Sequence, residues 1–534
     1  LVENYLRTYV ESNGLAWQDF CDMGHKRPKE SGAFEMTVLA LKYTHKRNGV
    51  SRLHKLVSRD MWQDLWNGYM VEEVPIDHIT NGVHPGTWLT SEIHNLLLKY
   101  SSVDMHEDLL KIWTWDKASK IPDDQLWQAH LYLKTKLYNT VKERITSNWS
   151  REGEDPAMLD RFLMKFSPNA LTIGFARRFA TYKRATLFMK NIDRIRNILA
   201  NKKHPVQFII AGKAHPADKI GADLIQDIAQ MCKKDEYLGQ IIFVENYDMT
   251  LARRLISGAD VWLNNPRRPL EASGTSGQKA GMNGVINCSI LDGWWDEGYN
   301  GTNGWAIGDR KEYINTDMQD LMDSDSLYDI LENDLIPSYY QRNMAGVPEK
   351  WVRMMKQSII ATISEFNTHR MLKDYAKKMY VPTAKMYEAL SADNFKLAKE
   401  RAEHKSSLSA RFSSIHISNV QVDGIKGDNL TMNDEAVFTL EANLGRVDKK
   451  EVTAQVVMVQ DKSDPAIDFS TTDRLRDEKI RYIPLTLVEE KGSEVKYSAT
   501  FKATAAGKFN YGARIVPANA EIDEVVDMNL VYWA

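Results

Sequence analysis

The chain has 534 residues, with 69 Lys and Arg against 72 Asp and Glu and a formal net charge of −3. That balance points to neither nucleic acid nor an anionic membrane as a partner, so any anion site must be local. Cys21, Cys232 and Cys288 lie far apart and match no disulfide framework or metal-ligand spacing, so no metal is expected. With no signal-peptide pattern or apolar run of spanning length, they read as reduced thiols of a cytoplasmic protein. A chain of this size can divide into two to four domains.

The sequence opens on Leu1 in an amphipathic stretch, LVENYLRTYVES, which reads as a helix at a cut end. Residues 34–65 place apolar clusters and basic residues at helical spacing, interrupted at Asn48 and Gly49, and predict two helices joined by a turn. Segment 76–90, IDHITNGVHPGTWLT, carries an Asn-Gly and a Pro-Gly pair and reads as a double turn, a connector or a binding loop. From 122 to 150, Leu126, Leu131, Leu133, Leu137 and Val141 recur at helical intervals and predict one long helix.

The period then changes. Short apolar runs, ALTIGF (170–175), VQFIIAG (206–212), IIFVEN (241–246), ADVWLN (259–264) and GVINCSI (284–290), alternate with helical segments. This alternation predicts a doubly wound α/β domain, whose ligands bind beyond the carboxyl ends of its strands. The polar loops fall at those ends: ARRFATYKR, KAHPAD, NYDMT and NPRRPLEASGTSGQK. They would bring Arg177, Arg178 and Lys183 into one crevice with Glu271 and Lys279. After 300 the pattern is helical to about 405, KSSLSAR (405–411) reads as a polar linker, and period-two alternation beyond it predicts a small antiparallel sandwich with turns such as DGIKGDN.

The most informative stretch is 271–284, EASGTSGQKAGMNG. Gly274 and Gly277 let backbone N–H groups approach an anion, and a helix starting there adds partial positive charge. Lys279 supplies an amine, although the spacing is not that of a P-loop, and on spacing alone a lone Lys in such a loop reads as a solvated side chain. Trp294, Trp295 and Trp305 read equally as a sugar platform or as core. Asp292, Asp296 and Glu297 read as loop hydrogen-bonding groups rather than a glycosidase pair. His84 and His215, in binding-type loops, stay unassigned.

Five blocks in order, TNGVHPGTWL, IGFARRFATYKRATLF, AGKAHPAD, FVENYDMTLARRLISGADVWLNNPRRPLEASGTSGQK and NGVINCSILDGWWDEGYNGTNGWAIG, resemble the signature blocks of the α-glucan phosphorylases, most closely the shorter bacterial and archaeal branch. The likeness covers roughly residues 34–400. It implies a GT-B fold of two Rossmann-like domains. Residues 1–95 would be the remainder of the first, 96–405 the second, and 410–534 an appended immunoglobulin-like sandwich, with the family's N-terminal part lacking ahead of Leu1.

The resemblance further implies reversible, retaining phosphorolysis of α-1,4-glucan ends by inorganic phosphate to glucose 1-phosphate, with pyridoxal 5'-phosphate carried as an aldimine on Lys279. By position, Gly274 and Thr275 match the loop that holds the cofactor phosphate, and Lys183 the lysine that bridges it to the substrate phosphate. Arg178 matches the phosphate-gripping arginine, with Arg177 where long-chain enzymes have Lys. Glu271 matches the carboxylate on sugar hydroxyls, His45 a histidine whose main chain meets the glucosyl 6-hydroxyl, and Tyr247 a tyrosine beside the cofactor. Gln278 departs from the Met common next to the cofactor lysine. Neither nucleic acid nor membrane is implied as a partner, and a homo-oligomer is compatible with the family. The readings from other classes are a sugar-nucleotide-dependent GT-B glycosyltransferase, which would not need Lys279, and a non-catalytic glucan-binding fragment.

Overall fold

The computed structural model describes residues 2–27, 32–101, 118–311, 313, 315–425, 431–460, 480–504, 508–518 and 525–534. Two compact units divide the chain, one made of Val50–His54 and Ile79–Tyr375, the other of Leu1–Gly49, Lys55–His78 and Ala376–Ala534.

The first of these is an α/β domain. Its main elements are the long helix α1 (Asp123–Glu152), β1 (Leu171–Ala176), α2 (Ile192–Ala200), β2 (Val206–Ala211), α3 (Lys219–Cys232), β3 (Ile241–Val244), α4 (Met249–Gly258), β4 (Val261–Asn264), α5 (Thr275–Gly281), β5 (Ile286–Ile290), β6 (Gly304–Ile307) and α6 (Glu349–Glu365). The six strands pair in parallel in the order β3-β2-β1-β4-β5-β6. Apolar runs form these strands because both faces are covered, and every residue of β1, β2, β4 and β5 is buried. Three of these helices start where a side chain takes up a free N–H: Asn191 caps α2, Asp218 caps α3 and Asp248 caps α4. Strand β6, GWAI, was not foreseen. It is four residues long and opens on Gly304, so its pattern is too short to separate from the Gly-rich loop before it.

This strand order reverses direction between β1 and β4, which opens a crevice at their carboxyl ends. The opposite end of the same two strands is closed by a dry polar network. Asp260 accepts from His130 Nε2 (2.7 Å), from Lys134 Nζ and from the Thr172 N–H (2.7 Å), and Lys134 also donates to Tyr339 Oη (2.7 Å). His130 and Lys134 stand one turn apart on α1, so the network fastens that helix to β1 and β4.

In the second unit, α7 (Val381–Phe412) precedes β7 (His416–Asp423), β8 (Glu435–Asn443), β9 (Val452–Gln460), β10 (Arg481–Lys491), β11 (Glu494–Lys502), β12 (Phe509–Pro517) and β13 (Tyr532–Trp533). The strands pair in the order β13-β12-β9-β10-β11-β8-β7, antiparallel throughout. They are not two separate sheets. Residues 481–485 of β10 pair with β9 and residues 486–491 pair with β11, with an irregularity between Leu487 and Glu489, so β10 turns a corner from one half to the other. The two halves enclose one core that includes Phe438, Leu440, Val452, Ala454, Val456, Tyr497 and Ile515. The turn DGIKGDN has Gly424 at φ +89, and its last four residues lie outside the described residues.

The expected polar linker 405–411 is instead the last two turns of α7. Leu408 and Phe412, four apart, point into the sheet core, and Arg411 is bidentate to Glu451 at 2.7 and 2.8 Å. The serines that suggested a linker occupy the helix's outer face. Residues 36–49 and 55–76 pack Val38, Trp66, Tyr69 and Val74 against Val516, and the buried Arg514–Glu73 pair holds this layer to the sheet. Among the described residues no helix is long and apolar enough to cross a membrane.

Candidate active site

Two loops build the site, one after β1 and one after β4. Leaving β1, the chain places Arg177 in the crevice wall and turns through a tight helical turn, Thr181–Lys183, which buries Lys183. Arg184, at φ +49, then locks this loop to the other by donating to the Asn265 and Pro266 carbonyls (2.9 and 2.7 Å) and pairing with Asp320 and Asp323. A further tie is the Arg267 N–H to the Tyr182 carbonyl at 2.7 Å. Gly212 makes room for the first loop, since a Cβ there would lie 1.9 Å from the Arg177 carbonyl oxygen.

The loop after β4 brings Glu271 across. One carboxylate oxygen, Glu271 Oε2, accepts from Arg177 Nη1 at 3.1 Å and from Lys183 Nζ. Burial works to raise the Glu271 carboxyl, but Arg177 and Lys183 outweigh it and hold it below the usual range. Burial, reinforced by the Arg177 charge, lowers Lys183 to about 8. Arg177 Nε is buried with no partner among the described residues, so the guanidinium has a buried N–H to offer an incoming anion. Arg178, next to it, is exposed. Tyr247 is half-buried near enough to Arg177 for that cation to oppose the burial that raises its phenol.

Gly274 sits at φ +81 and begins α5, with Thr275 first in the helix and Lys279 one turn on. Gly277 has no room for a side chain: a Cβ would lie 2.5 Å from Asn287 Oδ1 and 2.9 Å from Trp294 Nε1. Lys279 is half-buried with its Nζ 4.0 Å from the centroid of the Trp88 ring. Burial alone lowers its pKa, the state a condensing amine needs. Asn283 positions the ring, donating to the Trp88 carbonyl (2.8 Å) and accepting the Thr90 N–H (2.9 Å). Asn81 ties the same region from the 76–90 loop, donating to Ser273 Oγ (3.2 Å) while its carbonyl accepts from Gln278 Nε2 (2.9 Å).

The fold thus joins Arg177, Lys183 and Glu271 directly and sets Gly274, Thr275 and Lys279 on the adjoining helix, with Tyr247 at the margin. His45 belongs to the other unit, half-buried ahead of the short bridge strand Asn48–Gly49. Trp88, Asn81, Arg184 and Gly212 were not singled out from sequence. Only Asn81, in an Asn-Gly turn, carried a local signal. The three tryptophans are core: Trp294 and Trp295 are each 1% exposed, Trp305 is 6%, and Trp294 stacks edge-on against Phe366. Asp296 is taken up by Arg52, Arg268 and Arg310, and Glu297 by the Arg52 N–H and Thr80, so neither carboxylate is free for catalysis. His84 meets Thr87 within its own turn, and His215 accepts the Ala217 N–H.

A cofactor carrying both an aldehyde and a phosphate fits these residues. A desolvated amine lies beside an aromatic face, a left-handed glycine opens the helix, and a buried guanidinium retains an unpaired N–H. Fold and site together define a Rossmann-type α/β protein with a crevice at its topological switch point that is lined by Arg177 and Lys183.

The chain belongs to the carbohydrate phosphorylase family. The family model described as carbohydrate phosphorylase matches residues 20–297, and that of the glycogen phosphorylase C-terminal domain matches 413–534. Similar proteins include a maltodextrin phosphorylase of Thermococcus litoralis, 41% identical over 81% of this chain and 50% of its own length. A glycogen phosphorylase of Aquifex aeolicus is 42% identical over 71% of the chain and 54% of its own. One of Mycobacterium tuberculosis is 34% identical over 94% of the chain and 56% of its own. The chain spans about half the length of the curated relatives it matches.

Proposed function

We propose that the protein is an α-glucan phosphorylase, acting reversibly and with retention on α-1,4-glucan ends, inorganic phosphate and glucose 1-phosphate. The observation that carries this reading is the Arg177–Lys183–Glu271 cluster at the switch point, with Lys279 on the helix that follows Glu271, in a chain of the carbohydrate phosphorylase family. On the same reading, residues 1–95 complete a first Rossmann-like domain of a GT-B enzyme, 96–405 form the second, and 410–534 are an immunoglobulin-like module.

Lys279 would hold pyridoxal 5'-phosphate, with Gly274, Thr275 and Tyr247 around it. When bound, that group supplies a phosphate able to exchange a proton with the substrate phosphate. Arg177 and Arg178 bind and orient inorganic phosphate, the first through the buried Nε that has no partner among the described residues. Lys183, whose pKa burial has lowered to about 8, gains its proton fully as a second anion arrives and then screens phosphates that would otherwise repel. Glu271, kept ionised by its two cations, can release Lys183 to phosphate and accept from sugar hydroxyls. His45 is assigned to the glucosyl 6-hydroxyl. On this reading the developing oxocarbenium centre is captured by phosphate on the face the glucan leaves.

The test is release of glucose 1-phosphate from maltodextrin and phosphate by the full-length protein and its Lys279→Ala variant. The wild type is expected to be active and the variant to fall to background. Equal rates in the two would sink the assignment of Lys279.

A further inference from the structure

Asp292 stands behind the site, wholly buried in the turn that follows β5. Its Oδ2 accepts the N–H of Glu271 at 3.0 Å and its Oδ1 the N–H of Gly293 at 2.8 Å. The next residues continue the attachment. Gly293 has φ +55, and a Cβ on it would lie 2.4 Å from the Ser273 carbonyl oxygen and 2.9 Å from that of Glu271. The Trp294 N–H reaches the Ser273 carbonyl at 2.7 Å. Residues 292–294 therefore lie flush along 271–273, and the side chain in this seam that grips the peptide of Glu271 is Asp292.

We propose that Asp292 is a positioning residue for phosphate: by holding the Glu271 peptide it aims the Glu271 carboxylate at Arg177 and Lys183 and keeps that cation pair preorganised. This deepens the phosphorylase reading and rests on it. An ionised carboxylate accepts both N–H groups, whereas the protonated acid turns one oxygen into a donor and loses an acceptor. The charged and titratable groups acting on Asp292 are Arg268, which favours its charge, Glu271, which opposes it, and Tyr182. Burial is the largest influence and raises Asp292 to about 7, so the grip loosens as pH falls through neutrality.

The variants are Asp292→Asn and Asp292→Ala in the full-length protein, with thermal unfolding to confirm that each is folded. Asp292→Asn is expected to raise the KM for phosphate by roughly a hundredfold, the order a displaced contact costs, with the KM for maltodextrin unchanged. The acidic limb near pH 7 in kcat/KM for phosphate should vanish in Asp292→Asn. A crystal structure of that variant should show Glu271 turned away from Lys183. An intact Glu271–Lys183 contact in the variant crystal overturns the proposal, as do wild-type KM values and pH profile. Absence of phosphorolysis in the wild type would count against the function instead, and the crystal structure would still decide the role of Asp292.

Discussion

Lys183 illustrates how a buried residue acquires a working pKa. Its amine is desolvated and faces Arg177, both of which favour the neutral form, while Glu271 pulls the other way and does not fully compensate. The outcome is about 8, so the amine is mostly charged at neutral pH and loses its proton as pH rises through that value. Phosphate affinity is therefore expected to fall as pH is raised through about 8, and Lys183→Met should remove this limb while weakening binding at lower pH. Calorimetric phosphate titrations on either side of that value check it; an unchanged limb in Lys183→Met would place the titration elsewhere. Lys279, lowered by burial alone and covered by Trp88, shows the simpler case of an amine kept reactive by dryness.

Among the elements, α1 carries a burden that its sequence shows only in part. Its apolar stripe, Leu126, Leu131, Leu133, Leu137 and Val141, marks the helix, but nothing in that spacing points to His130 and Lys134, which are fully buried on Asp260. Breaking one member of such a network leaves a buried charge without its counterpart, which costs about 3–5 kcal/mol. Asp260→Asn is expected to lose stability of that order in urea unfolding, and a change below about 1 kcal/mol would mean the network contributes little. The site lies at the other end of β1 and β4, so any activity lost should follow the folded fraction. The strands themselves were legible because each buried parallel strand is an unbroken apolar run; β6 escaped notice because four residues opening on glycine carry too little pattern.

Across the whole molecule, the two units differ in how much their sequence discloses. The α/β alternation announces its sheet, and the carboxyl-end rule then places the polar loops without knowledge of strand order. The C-terminal sheet announces alternating strands but not that β10 serves both halves, since a strand that changes partners midway looks like any other in period. Composition also misled at 405–411, where serines and lysine outweighed the i, i+4 pair Leu408 and Phe412. Leu408→Ala is expected to destabilise by about 2–5 kcal/mol, while Ser409→Ala on the exposed face should be near neutral. Thermal unfolding of both variants distinguishes a packed helix from a linker, for which the two would behave alike.

What the amino-acid order determined alone is local: where apolar runs make strands, where caps start helices, and that 271–284 is a glycine-rich anion loop with an amine. Family likeness added roles to individual positions. Only the tertiary structure decided that Lys183 and Glu271, 88 residues apart, share an ion pair, that Trp88 covers Lys279, and that Asp292 grips the peptide behind Glu271. The reason is physical. Periodicity reports which face of an element is dry, whereas partners across a crevice are chosen by strand order and loop closure, which depend on the packing of the whole domain.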